Sequence, residues 1–166
     1  TWVLGMYFYS MVLAYTFEDY EFAGKMSEGI RDVQKTPAAL LITVEIRFME
    51  GLTAAALLRN GRECSKNTKI ARFALKQLKK WAKESPRNFT AKHELLKAEL
   101  LSLKANVDPS KVYAVYEKAI KAATEEGYNR DAALACEREG DYKKSIGDVD
   151  GAIKLWRRAI TLYDHW

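Results

Sequence analysis

The stretches VYAVYEKAIKAA (residues 112–123) and AIKLWRRAITLY (residues 152–163) repeat one apolar pattern, and the second begins 40 residues after the first. At that offset aromatic matches aromatic, alanine matches alanine and isoleucine matches isoleucine: Tyr116 with Trp156, Ala119 with Ala159, and Ile120 with Ile160. Apolar residues at every third or fourth position predict one face of an α-helix. Repetition at an interval of about 20–50 residues is typical of stacked helical repeats, whose units share a core.

The composition is that of a folded globular domain. The chain has 166 residues, of which 48% are apolar and 30% charged, and this balance excludes an intrinsically disordered chain. A chain of this length forms one domain and can bury a sizeable core. Three prolines and nine glycines leave few interruptions, which favours long helices.

Proline and glycine divide the chain into about eight helical segments. Helix starts are predicted where a capping residue precedes proline, at Thr36-Pro37 and Asp108-Pro109. The stretch at residues 85–88 is predicted to end one helix and to lead into the next. Gly127 and Gly147 are suited to end helices in the left-handed conformation. The predicted helices cover residues 3–16, 19–33, 37–58, 66–84, 89–104, 109–125, 128–146 and 148–166.

We therefore predict an all-α fold of antiparallel helix pairs, stacked as an irregular, tetratricopeptide-like α-solenoid. The pairs are 1–35, 36–85, 86–127 and 128–166, in a single domain 1–166 that we expect to be part of a longer chain. We expect neighbouring helices to pack closely where a small residue is followed four positions later by a large one, as in Ala152 and Trp156 or Ala74 and Leu78. Gly140 stands where the tetratricopeptide pattern has glycine. A non-repetitive helical bundle is the alternative.

The periodicity also predicts which side chains face the core. One face of the last helix carries five apolar residues: Val149, Ala152, Trp156, Ala159 and Tyr163. On the first helix we expect the aromatic residues to pack into a neighbouring helix: Tyr7, Phe8, Tyr9 and Tyr15. Trp2 and Trp166 are expected to be exposed. Acidic pairs such as Glu137 and Glu139 are expected to be solvated.

Three segments resemble the helical-repeat region of large multidomain signalling ATPases: AYTFEDYEFAGKMSEG (14–29), LKKWAKESPRNFTAKHELLKAEL (78–100) and VYEKAIKAATEEGYNRDAALACEREGDYKKSIGD (115–148). The motifs that carry the resemblance are W-A-x-x-x-P-x-N-F at residues 81–89 and Y-x-x-A-I-x-x-A-x-x-x-G-Y at residues 116–128. In that family a protein-kinase domain and a P-loop ATPase module usually precede the repeats, and a sensor with a histidine kinase or cyclase often follows. The resemblance implies a role in coupling a nucleotide switch to an output through bound partners.

The sequence contains no recognisable catalytic or metal-binding motif. It lacks the GxxxxGK[ST] loop, HRD and DFG, so the ATPase and kinase activities of the resembling family are not expected in this region. His93-Glu94 begins like HExxH, but Lys97 occupies the position of the second histidine. We predict a region that is not an enzyme, with no catalytic residues, no cofactor and no metal, although a longer parent chain could carry such domains.

Basic residues are concentrated in one part of the chain. From Arg59 to Lys92 the chain carries eleven basic residues against Glu63 and Glu84, whereas its total net charge is +5. Five of them advance by three or four positions and form what we call the basic stripe: Lys69, Arg72, Lys76, Lys79 and Lys83. The stripe lies opposite the apolar face of its helix: Ile70, Ala74, Leu78 and Trp81.

The basic stripe has several possible roles. A solvated outer face is the first interpretation, and an acidic protein partner is the second. Nucleic acid or phospholipid is less favoured, because the stripe lacks interleaved exposed aromatic residues and any groove-reading motif.

Two features bear on membrane association and compartment. Residues 3–17 form an apolar run shorter than the roughly 20 residues of a membrane helix, so we predict a core helix and no transmembrane span. Cys64 and Cys136 match no metal or redox spacing, and we interpret them as buried or half-buried thiols in a cytoplasmic protein.

The leading hypothesis is a non-catalytic protein-interaction scaffold, the regulatory repeat region of a multidomain signalling ATPase or kinase. Its partners would be proteins, and the candidates are acidic proteins or domains of the same parent chain. The alternative is a free-standing helical-repeat adaptor or a subunit of a larger complex. An enzyme or a nucleic-acid-binding helical domain is the third hypothesis.

Overall fold

The computed structural model describes residues 2–33 and 40–166, and these residues form eight α-helices and no strand. The helices are α1 (Trp2–Thr16), α2 (Tyr20–Val33), α3 (Leu40–Arg59), α4 (Cys64–Glu84), α5 (Pro86–Ser102), α6 (Pro109–Glu125), α7 (Asn129–Ser145) and α8 (Val149–Asp164). The predicted all-α class and number of helices are therefore confirmed within the described ranges.

Local capping signals explain several helix boundaries. The Asp108 carboxylate accepts a hydrogen bond from the Ser110 amide at 2.9 Å, and Pro109 opens α6 as predicted. Gly127 and Gly147 have φ angles of +74° and +92°, in the region that only glycine adopts without strain. The predicted start at Thr36-Pro37 lies outside the described residues.

Helix α5 begins earlier than predicted. It starts at Pro86 rather than at residue 89, because proline at the first helical position needs no amide partner and already has a helical φ angle. Ser85 occupies the capping position without a side-chain bond to the backbone, and its hydroxyl instead accepts from the Asn88 amide group at 2.8 Å.

The chain folds into two compact units, Thr1–Gln77 and Leu78–Trp166, and residues of α4 belong to both. In the N-terminal unit α1 packs on α2 and α3, and α2 packs on α3. The core of this unit holds large apolar side chains that are essentially inaccessible to water: Met11, Ile30, Phe48, Met49 and Leu52. The division of the chain into four repeats stays a prediction.

In the C-terminal unit consecutive helices from α5 to α8 pack on one another, and α5 also packs on α7. Small side chains allow this close packing, as in the cluster of Ala91, Ala123 and Ala132. Tyr116 is fully buried on α6, and its hydroxyl donates to Glu99 of α5 at 2.6 Å. A buried ion pair between Lys92 of α5 and Asp131 of α7 joins the first helices of the two pairs.

Several predicted orientations need correction. On α8, Ala152 and Ala159 are buried, but Val149 is 52% exposed because it lies in the first turn. On α1, Tyr15 is buried, whereas Tyr9 is 68% exposed and contradicts the expected packing. Trp2 and Trp166 are exposed, as predicted.

Two polar residues also differ from expectation. Cys136 is buried and burial raises the pKa of its thiol to about 11, but Cys64 is exposed because it begins α4. Glu139 was expected to be solvated, yet it is only 2% exposed on α7.

Candidate partner-binding site

The five side chains of the basic stripe are all exposed on α4. Behind them Ala74 and Leu78 are buried, and Ile70 and Trp81 are half-buried, so the predicted opposition of faces is confirmed. The ion pairs of this helix instead use Lys66 and Lys80. Within the described part of the chain no carboxylate pairs with a stripe residue, and its role as a binding surface stays a prediction.

The surroundings of the basic stripe differ from the expectation in one respect. Phe73 lies between Lys69 and Lys76 along the helix and is 49% exposed, so an exposed aromatic residue does border the stripe. The guanidinium of Arg47 lies 5.2 Å from the centre of the Phe73 ring. This cation–π contact covers part of the ring and leaves less of it available for stacking on a base.

A cleft of about 330 Å³ opens in the N-terminal unit, between α2, α3 and the first turns of α4. Its apolar lining comes from α3 and α4 and includes Ala54, Leu57 and Ile70. Gly24 on α2 faces Leu57, and a Cβ atom added there would lie 3.2 Å from the Leu57 methyl group. We call this space the α2–α3–α4 cleft. Its volume is at the lower end of the range for ligand pockets.

One wall of the cleft is a buried polar network around Glu50, which is 1% exposed on α3. Its Oε1 accepts a hydrogen bond from the Ser27 hydroxyl at 3.1 Å and pairs with the Arg31 guanidinium at 3.0 Å. Its Oε2 pairs with Arg47. The carboxylate thus meets two cations and a hydroxyl, which offsets the cost of burying its charge. The network joins α2 to α3 and gives the cleft a polar wall.

The rim of the cleft carries exposed ion pairs. Arg62, after α3, pairs with Glu21 of α2 at 3.1 Å. Lys66 of α4 pairs with both Glu28 and Glu63, and its hydrogen bond lowers the pKa of Glu28. Exposed pairs of this kind contribute only about 0–1 kcal/mol each, so an incoming partner can displace them at little cost.

The sequence patterns did not predict this cleft. Its residues come from three helices and the turn between α3 and α4, and their charged members follow no single periodic pattern. One signal was present: Glu50 stands with Glu45 and Arg47 inside the otherwise apolar first part of α3, and charges in such a run indicate buried ion pairs. Its partners on α2 could not be named from that signal alone.

The residues that began like a zinc motif form a small charge cluster on α5. His93 Nδ1 lies 3.1 Å from Glu94 Oε1, and Lys97 donates to Glu94 Oε2 at 3.0 Å. The hydrogen bonds from His93 and Lys97 lower the pKa of Glu94 to about 2. The carboxylate is therefore engaged by its own helix, and the arrangement stabilises α5.

No helix in the described part of the chain combines the length and the hydropathy needed to span a bilayer. In comparisons with family models, curated proteins and solved structures, nothing matches this chain.

Proposed function

We propose that this chain is a non-catalytic, cytoplasmic protein-interaction scaffold whose helix pairs stack as a tetratricopeptide-like α-solenoid. In this proposal the α2–α3–α4 cleft receives a side chain of a protein partner. The cleft is the observation that carries the proposal, because it joins an apolar lining to a buried polar wall and a rim of weak ion pairs.

The order of helix packing supports the stacking. In the C-terminal unit α5 packs on α6 and α7, but α5 and α8 are not among the packed pairs of that unit. A closed four-helix bundle brings its first helix against its last. In a stack of helix pairs, the first helix of one pair packs on the first helix of the next, as α5 packs on α7.

The lining of the cleft favours an aliphatic or aromatic side chain of the partner. Ala54, Leu57 and Ile70 offer apolar contact, while acidic and basic groups at the rim can pair with charged residues on either side of the inserted group. Lys25 adds an exposed cation at this rim. Such a cleft gives modest affinity for one peptide, and several stacked pairs can add further contacts.

The resemblance to multidomain signalling ATPases adds a more specific proposal. The chain would act as the regulatory repeat region of such a protein, and its partner could be another domain of the same chain. The full reading frame around this segment tests it. A P-loop ATPase module in the same frame would support the assignment. A frame that encodes this domain alone would contradict it and favour the alternative, a free-standing helical-repeat adaptor.

A selection of displayed peptides tests the cleft directly. Peptides that bind the full chain are isolated from a random library, and their affinities are measured by fluorescence anisotropy. Ile70→Trp places a larger ring in the cleft, so we expect affinity to fall at least about tenfold, the equivalent of 1.4 kcal/mol. Lys25→Glu changes only an exposed charge at the rim of the cleft. It therefore tests the cleft independently if Ile70→Trp fails to fold.

The control lies on the same helix. Lys76→Glu with Lys79→Glu alters the basic stripe and should leave the affinity unchanged. If Ile70→Trp and Lys25→Glu, both folded by circular dichroism, bind as tightly as the original chain, the cleft is not the site. If only the stripe variant loses binding, the stripe is the partner surface and the acidic-partner hypothesis replaces this one.

A further inference from the structure

Helix α1 has no charged residue between Trp2 and Thr16 and is apolar on every side. A helix of that kind is normally buried all round. Here only one side is covered, since Met11, Ala14 and Tyr15 pack into the N-terminal unit. The opposite side of α1 therefore presents an apolar face to the surroundings of the described chain.

The uncovered side carries a continuous row of large apolar side chains, which we call the α1 stripe. Its members and their exposed fractions are Trp2 (87%), Met6 (64%), Tyr9 (68%), Leu13 (58%) and Phe17 (80%). The first four lie in line on α1 at steps of four, three and four positions, and Phe17 follows four positions later in the turn after the helix. The first four follow the spacing of the core positions in a coiled coil.

The size of the α1 stripe matches half of a stable protein interface. At these exposures, three aromatic and two aliphatic side chains present roughly 700–800 Å² to solvent. Standard complexes bury about 800 Å² on each partner. A single monomer seldom exposes a patch this large without a binding role.

The order of residues suits contact between two identical helices. When two α1 helices run antiparallel about an axis between residues 9 and 10, Trp2 faces Phe17 of the second copy and Met6 faces its Leu13. Tyr9 then lies beside Tyr9 of the second copy at the axis. Because the stripe is uncharged, no like charges meet when the surface pairs with itself.

We infer that the α1 stripe is the interface of a homodimer, in which two α1 helices pack antiparallel about a two-fold axis. Two-fold dimers with one self-complementary surface are the commonest oligomers. The dimer goes beyond the proposed function, since the α2–α3–α4 cleft takes no part in it.

Sedimentation velocity of the full chain over a range of concentrations tests the inference. The expected species has twice the mass of one chain. Tyr9→Glu with Leu13→Glu places charges in the proposed contact, so we expect loss of the dimer with unchanged helicity. Both side chains are exposed in the monomer, so folding should not depend on them.

Helix α8 supplies the matched control, because Ile153 and Ile160 are also exposed apolar residues. Ile153→Glu with Ile160→Glu should leave the dimer intact. A chain that stays monomeric at every concentration overturns the inference, and so does a dimer that only the α8 variant dissociates. Binding of a monomeric chain to neutral phosphatidylcholine vesicles would make a lipid surface the occupant instead.

Disulfide cross-linking tests the antiparallel arrangement. Exposed Cys64 is first replaced by serine, and Tyr9→Cys or Leu13→Cys is then added. A cysteine at position 9 lies near the axis and should form an intermolecular disulfide under mild oxidation. The two copies of position 13 would be about 10 Å apart along the helices and should not. Equal cross-linking at both positions would exclude the proposed register.

Discussion

The two helix pairs of the C-terminal unit carry the same pattern at an offset of 40 residues, yet their equivalent side chains have different environments. Ile120 on α6 is 1% exposed, whereas Ile160 on α8 is 61% exposed. Helix α7 packs on α6, and Tyr142 of α7 lies with its ring centre 5.9 Å from that of Tyr113. Among the described helices, α8 packs on α7 alone. The same residue is thus core or surface according to whether another helix covers it.

The offset also relates two buried glutamates. Glu99 on α5 and Glu139 on α7 are 1% and 2% exposed. Tyr116 supplies a hydroxyl to Glu99, but its equivalent Trp156 donates its indole N–H to Asp141 at 3.1 Å. The Glu139 Oε2 atom has no hydrogen-bond partner among the described residues.

Glu139 also has an unusual electrostatic environment. Burial, with the nearby charge of Glu117, raises the pKa of Glu139 to about 7, while Lys143 and Arg158 act in the opposite direction. One helix pair thus has tyrosine beside a hydrogen-bonded glutamate, and the other has tryptophan and a buried glutamate whose pKa is raised.

The largest expected effect comes from truncating the equivalent isoleucines. Ile120→Ala leaves a cavity between α6 and its neighbours and should lower the free energy of unfolding by about 3–4 kcal/mol. Ile160→Ala removes atoms already in water and should change it by less than about 0.5 kcal/mol. Urea unfolding followed by circular dichroism measures both. Equal losses would show that α8 is covered in solution as α6 is.

The next prediction concerns the pH dependence of stability. The folded-state pKa of Glu139 lies above its ordinary value of 4.5, so its contribution is most favourable below pH 4.5 and is lost as pH rises through about 7. Glu139→Gln removes the ionisation. We expect it to stabilise the fold by about 2–3 kcal/mol at pH 8 and by little at pH 4.

Glu125→Gln is the control for this prediction, because Glu125 is exposed on α6 and its pair with Lys121 is a surface contact. Unfolding curves at both pH values give the comparison. A stability difference for Glu139→Gln that does not depend on pH would show that Glu139 does not titrate in this range.

Gly140→Ala should have a smaller effect. A Cβ atom there would lie 2.6 Å from Trp156 Nε1 and 3.3 Å from the Ala152 carbonyl oxygen, so the ring must move. Overpacking costs about 1–3 kcal/mol, and the better helix propensity of alanine offsets about 1 kcal/mol of it. We expect a net loss of about 1 kcal/mol in urea unfolding. A gain in stability would show that α7 and α8 are not closely packed where Gly140 faces Trp156.

The smallest effect is a shift of one titration. Trp156→Tyr gives α8 the tyrosine that α6 has at the equivalent position, Tyr116. The new hydroxyl can donate a hydrogen bond to Glu139 as Tyr116 donates to Glu99. A hydrogen bond to the carboxylate favours the ionised form, so the pKa of Glu139 should fall by about one unit. Carbon-detected NMR of the side-chain carboxyl measures it. An unchanged titration would show that a hydroxyl at position 156 does not lower the pKa of Glu139.

The sequence alone determined the helices and their inner faces. Asp108-Pro109 opens α6, Gly127 and Gly147 carry positive φ angles, and Val112, Tyr116, Ala119 and Ala123 are buried as their spacing predicts. These signals act over one or two turns, so neighbouring residues suffice to produce them. The basic stripe is exposed for the same reason, since its helical spacing opposes it to an apolar face.

Only the tertiary structure decided which apolar faces are covered and how buried charges are paired. Glu50 and its partners on α2 form the wall of the cleft, although they lie far apart in sequence. Ile120 and Ile160 are the same residue in the same pattern and differ only in the helix packed beside them. Burial and ionisation depend on which distant segments reach a side chain, because water and dielectric environment are set by all atoms around it.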